Sequence, residues 1–104
     1  MKFEPNYRRP FIAFVKKQHR PFKARIDDEV LNVCNDPSIG EFKAGDLSGI
    51  QVHKFRFDGR EWLIAYHVNK QIVEMVLIDF YQIGTHENFY QNLKEYLRAS
   101  GWYK

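Results

Sequence analysis

A single cysteine, Cys34, in 104 residues excludes an intrachain disulfide and a thiolate metal cluster. It lies in an apolar helical pattern and reads as a core residue of a reducing compartment rather than a nucleophile. No apolar run approaches the ~18 residues of a membrane-spanning helix. The stretch from Met1 to Lys17 is broken by Glu4, Arg8, Arg9, Lys16 and Lys17, which does not suit a secretory leader. A soluble cytoplasmic domain without a membrane partner is expected. The four histidines, His19, His53, His67 and His86, show no short ligand spacing and no cysteine pair assists them, so neither metal nor cofactor is expected. Gly40, Gly45 and Gly49 are no phosphate loop, because the Walker spacing and its Lys-Ser or Lys-Thr are missing. Internal repeats and low-complexity linkers are absent too.

What is present suits one domain spanning residues 1–104, with aromatic residues at 16% to build its core. Lys and Arg outnumber Asp and Glu by 16 to 13, which permits a polyanionic partner without requiring one. Met1 to Pro5 leaves room for a brief edge strand. Pro10 can start a helix through Phe11 to Gln18 whose apolar side is Phe11, Phe14 and Val15, and Lys16, Lys17, His19 and Arg20 form its basic end. Pro21 separates it from a second helix, Lys23 to Asn35, with Ile26, Val30, Val33 and Cys34 on one face. Ser38 to Gly49 reads as a connector. Ile50 to Asp58 and Glu61 to Val68 are strands joined by the turn dipeptide Asp58-Gly59. Asn69-Lys70-Gln71 makes the next turn, and Ile72 to Ile83, apolar on both faces, reads as a central strand. With Thr85 as N-cap, a last helix runs from His86 to about Ser100, packed through Phe89, Leu93, Tyr96 and Leu97 and stopped by Gly101. The expected fold is α+β: an antiparallel meander covered on one face by two N-terminal helices and a C-terminal helix.

If Phe55 and Phe57 enter the core, Lys54 and Arg56 project together from the other sheet surface, with Arg60 beside them at the hairpin tip. His86 and Tyr90, at i and i+4, would share one side of the last helix. A histidine transfers a proton, a tyrosine hydrogen-bonds or stacks, and fixed cations stabilise charge on a phosphorane, so these groups suit a phosphodiester. Trp62 is either core or a platform for a base.

The block Lys54-Phe55-Arg56-Phe57-Asp58-Gly59-Arg60-Glu61-Trp62-Leu63-Ile64-Ala65-Tyr66, the apolar strand and Ile83-Gly84-Thr85-His86-Glu87-Asn88-Phe89-Tyr90 resemble the toxins of the RelE/ParE superfamily of bacterial type II toxin–antitoxin systems. Gly45-Asp46-Leu47-Ser48-Gly49 is similar to that family's Leu-x-Gly turn. The resemblance implies a microbial RNase-like fold and, in the RelE and YafQ branches, metal-independent cleavage of mRNA on the ribosome by 2′-hydroxyl attack. It implies catalytic roles for His86 in proton transfer, for Lys54 and Arg56 as the basic strand positions, and for Tyr90 as the functional aromatic; Arg60 at the hairpin tip and Trp62 as a platform for a base are the expected RNA-binding residues beside them. The YafQ-like pattern is missing a histidine where Gly45 and Asp46 stand and another near Phe57, leaving Lys54, Arg56, Glu61 or His67 as the partner of His86. A cognate antitoxin, mRNA and the ribosome are the implied partners. The alternatives are a ParE-like inhibitor of DNA gyrase without nuclease activity, and a basic nucleic-acid-binding module without catalysis.

Overall fold

Two consecutive residues with positive φ, Asp58 at 54° and Gly59 at 78°, close a two-residue hairpin between Phe57 and Arg60. That turn matches the right-handed twist of the strands it joins, and the glycine takes its half of it without a Cβ penalty. In this computed structural model, which describes residues 2–69 and 75–102, the hairpin lies inside a five-stranded sheet. The elements are β1 (Lys2–Tyr7), α1 (Arg9–Lys16), α2 (Arg20–Asn35), β2 (Glu41–Phe42), β3 (Gln51–Phe57), β4 (Arg60–Asn69), β5 (Met75–Gly84) and α3 (Phe89–Ala99). The strand order is β1-β5-β4-β3-β2, with β1 parallel to β5 and every other pair antiparallel. The fold is therefore the expected α+β meander with a parallel strand added at one edge.

Helices cover both faces, not one. On the first, Phe11, Phe22, Ile26, Val30 and Val33 of α1 and α2 bury Phe55, Ile64, Tyr66, Ile78, Phe80 and Ile83. On the second, Phe89, Leu93 and Leu97 of α3 bury Val52, Leu63, Ala65 and Tyr81. A strand apolar on both sides needs this double cover, since either face left wet would expose several large side chains. The residues 70–74, on which the expected Asn69-Lys70-Gln71 turn and the start of the third strand fall, lie outside the described residues.

Local chemistry sets the helix ends. Pro10 and Pro21 each occupy a first turn, so Pro21 begins α2 rather than preceding it, and the His19 ring accepts from the Phe22 N–H at 3.4 Å as its N-cap. Gly101, at φ 84°, ends α3 in a Schellman turn: Trp102 N–H donates to Leu97 O (2.9 Å) and Gly101 N–H to Arg98 O (3.3 Å). At the other end α3 starts at Phe89, three residues later than expected. Asn88 is left-handed (φ 59°) and breaks the helix there, so Thr85 does not cap it and His86 and Tyr90 do not share a helical turn.

One irregularity controls which side chains reach which face. Ala65 faces Gln82 and Tyr66 faces Phe80, leaving Tyr81 without a partner on β4. This β-bulge puts Tyr81 and Gln82 on the same side: Tyr81 packs under α3, and Gln82 donates to Phe89 O at 2.8 Å.

Two buried polar joints tie the layers. Tyr66 OH donates to Pro37 O (2.7 Å) and accepts from Gly40 N–H (2.9 Å); burial pushes its pKa up to about 12, so the donor proton stays. Between α2 and β3, Glu29 accepts from Arg25 Nε (2.7 Å), Asn32 Nδ2 (3.4 Å) and His53 Nε2 (2.7 Å). Burial works to raise the Glu29 pKa, and these hydrogen bonds outweigh it and hold it below the usual carboxylate range. A carboxyl with a lowered folded pKa contributes stability above its unfolded pKa, and that contribution is lost as pH falls through the folded value. Unfolding free energy from urea titrations should thus fall on acidification below about pH 4.3, and Glu29→Gln should flatten that limb while costing about 1–3 kcal/mol at neutral pH. An unchanged acid limb would remove Glu29 from the account.

Candidate active site

Three strands finish at one end of the sheet: β3 at Phe57, β4 entering at Arg60 and β5 at Gly84. Alternation sends Phe55 and Phe57 toward α1 and α2, and therefore Lys54 and Arg56 to the α3 face, as expected. Register fixes their neighbours. Arg56 stands opposite Glu61, and the next row inward is Lys54, Leu63 and Gly84. Side chains directly opposed have Cβ atoms about 4.5–5.5 Å apart, so Arg56 and Glu61 are immediate neighbours. Lys54 and Arg56 are both exposed, and Arg56 Nη2 donates to Gly59 O at 3.2 Å across the turn.

The chain after Gly84 brings His86 onto this row. Its Nε2 lies 2.8 Å from Glu61 Oε1, with both side chains partly exposed (55% and 38%). A carboxylate only accepts, so Nε2 carries the hydrogen of this bond, and in a neutral ring the lone pair is on Nδ1. Among the partners left open by the sequence, the structure pairs Glu61 with His86. His67 is elsewhere: its Nδ1 donates to Gly49 O at 2.8 Å and its ring meets Trp102, six residues or about 20 Å along β4 from Glu61. His53 belongs to the Glu29 joint.

Tyr90 is half-buried, edge-on to Phe89 at 5.2 Å, and Lys43 Nζ lies 5.5 Å from the centre of its ring. Lys43 was hidden in a segment that reads as a connector. Pairing of Glu41 with Val52 and of Phe42 with Gln51 brings that segment beside β3. Lys43 binds Glu41 (2.9 Å), and the Lys43 contact, then the Lys43 and Lys54 charges, hold the Glu41 carboxyl below its usual range.

Arg60 and Trp62 go to the opposite face from Lys54 and Arg56, which corrects the expectation that Arg60 stands beside them. A two-residue turn pairs Phe57 with Arg60, so Arg60 inherits the side of Phe57. Trp62 packs with Phe14 (5.7 Å) and Phe22 (4.6 Å), and its Nε1–H donates to Phe57 O at 3.4 Å. Both residues still reach the junction. Beyond Phe80, β5 has no strand beside it on its β1 side among the described residues, and a cleft of about 720 Å³ wraps that edge. It is lined by Phe14, Arg60 and Trp62 from one face, by Thr85 and Glu87 flanking His86, and by Asn92 of α3.

A family model described as the ParE-like toxin of type II bacterial toxin–antitoxin systems matches residues 6–94. Among solved structures, the chain is similar to one in the crystal structure of the intact E. coli RelBE toxin–antitoxin complex, with a TM-score of 0.60 and 18% identity. The match covers 82% of this chain and 96% of that one, and at such identity it speaks for the fold alone. A search of curated proteins finds no match.

Proposed function

Because this chain belongs to the ParE-like toxin family of type II bacterial toxin–antitoxin systems, we propose that the end of its sheet is the site of its toxicity, and that it acts as an endoribonuclease on translated mRNA. The observation that carries this reading is the His86–Glu61 pair set in one row with Arg56 and beside Lys54. In the proposed reaction His86 Nδ1 takes the proton of an RNA 2′-hydroxyl, and the 2′ oxygen forms a bond to the adjacent phosphorus. Glu61 holds the ring and balances the imidazolium that forms. Lys54 and Arg56 bind the phosphoryl oxygens as charge builds on them. The bond from phosphorus to the 5′ oxygen then breaks, and that oxygen takes a proton from a water molecule at this open face. The hydroxide left behind takes back the proton held by His86, which returns the ring to its starting form. Products are a 2′,3′-cyclic phosphate and a 5′-hydroxyl. The groups that activate the hydroxyl and bind the phosphate are side chains of this protein, and the scheme routes no step through a metal. Tyr90 orients the nucleotide from the Lys43 side, while Arg60 and Trp62 take up a flanking nucleotide through the cleft.

A cognate antitoxin is the proposed protein partner, as in the RelBE complex whose toxin shares this fold. A second reading is inhibition of DNA gyrase, favoured by the ParE-like description of the family model. Purified chain added to a translating extract distinguishes the two. Broken mRNA with cyclic-phosphate and 5′-hydroxyl ends is the expected result, whereas intact mRNA together with blocked gyrase supercoiling would transfer the assignment to the second reading.

A further inference from the structure

Between Glu4 and Asp27 the chain contains no acidic residue, yet it carries Arg8, Arg9, Lys16, Lys17, Arg20, Lys23 and Arg25. The proposed chemistry uses none of them. Arg8 lies near Asp79 and Arg25 binds Glu29, but among the described residues Lys16, Lys17 and Arg20 have no ion pair. All three are exposed and sit where α1 turns into α2. The aromatic contacts fix where that tip lies. Phe14, two residues before Lys16, packs on Trp62, and Phe22, two residues after Arg20, stacks on Phe57 at 4.9 Å and 16°. Phe57 and Trp62 flank the β3–β4 turn, so the tip stands over the same turn that carries Arg56 and Arg60.

The geometry points to one continuous cationic path around this end of the molecule: Lys54 and Arg56 on the α3 face, Arg60 at the turn, then Lys16, Lys17 and Arg20 on the helical face. Its occupant is the phosphodiester backbone of single-stranded RNA running away from the scissile phosphate. Continuity with the reactive row favours RNA over an acidic protein segment or an anionic membrane, because a strand already held at Lys54 and Arg56 meets these cations next. Trp62, part-exposed beside Arg60 in the cleft, adds an aromatic surface along the same route. This assignment deepens the ribonuclease reading and rests on it for the identity of the strand.

Binding of a labelled strand of about 12 nucleotides, followed by fluorescence anisotropy against salt concentration, tests the path without requiring cleavage. The combined variant Lys16→Gln, Lys17→Gln, Arg20→Gln should lower the slope of log affinity against log salt by about 2, at roughly 0.7 per lost single-strand phosphate contact. Lys2→Gln with Arg98→Gln, at the other end of the sheet and of α3, should leave the slope unchanged, which separates a local path from net charge. Circular dichroism melts that overlay the parent would show that the variants fold. An unchanged slope in the triple variant overturns the path, as does absence of RNA binding by the parent. A loss confined to acidic peptide or anionic vesicles would instead assign these cations to that partner. Should the slope fall as expected while mRNA ends stay intact, the path stands and the ribonuclease reading fails.

Discussion

His86→Ala is expected to lower RNA cleavage by on the order of 10²–10⁴-fold, the range typical of removing a positioned general base. The side chain is more than half exposed, and its one described polar contact is the Glu61 carboxylate at 2.8 Å, so little packing is lost with it. Exposed ion pairs contribute about 0–1 kcal/mol, and the melting temperature should stay close to the parent's. Binding to an RNA strand should persist as well, because the strand cations remain. The pairing adds a second condition: Glu61→Gln preserves shape and can still hydrogen-bond the ring, but cannot balance an imidazolium, so it should reduce turnover more than RNA affinity. Cleavage by His86→Ala at the parent rate, with the same mapped ends, would remove this histidine from the mechanism.

Phe22→Ala is expected to produce the largest loss of stability among single truncations near this end, about 3–5 kcal/mol by the behaviour of buried phenylalanines. The ring is 3% exposed and meets Phe14, Phe55, Phe57 and Trp62. It is the point where α1, α2 and the β3–β4 hairpin converge. Native domains hold only about 5–15 kcal/mol in total, so the midpoint of urea unfolding should shift far toward low denaturant. Ile12→Ala, at a position 45% exposed, should stay within about 0.5 kcal/mol of the parent. A loss at Phe22 as small as that at Ile12 would mean that the helical hairpin is not seated on the sheet in solution.

Local signals made much of this legible. The alternation of Lys54, Phe55, Arg56 and Phe57, the Asp58-Gly59 turn and the Gly101 stop are each decided by a few adjacent residues, and each appears where the sequence places it. Long-range pairings were less accessible. β1 joins β5 across most of the chain, with Asn6 donating to Asp79 at 2.6 Å, and nothing in Met1 to Tyr7 announces that partner. Cover on both faces was implicit in the all-apolar β5, whose second side needs a roof as much as the first. The sidedness of Arg60 was implicit too, since a two-residue turn keeps the residues flanking it on one face. The late start of α3 was not, because Asn88 in a left-handed conformation is a tertiary outcome that local helix preference does not report. At the candidate site, strand alternation put Lys54 and Arg56 on one face and the resemblance pointed to His86, whereas Glu61 emerged as its neighbour from four alternatives only when the strands were in register. Lys43 required knowing that Glu41 and Phe42 form a strand at all.

The unpaired Tyr81 makes the candidate site depend on the parity of the chain rather than on the identity of any one side chain. Strict alternation from Phe80 would turn Ile83 toward α3 and Gly84 toward α1, and the peptide leading to His86 would leave the sheet on the wrong side of Glu61. Changing the number of residues in β5 is thus a different kind of lesion from replacing one. Substitution alters the packing beneath α3; deleting the extra residue straightens the strand and keeps Gln82, Ile83 and Gly84 on their present faces, whereas one residue added between Gln82 and Gly84 would reverse Gly84 and, with it, the side of the molecule to which the histidine is delivered.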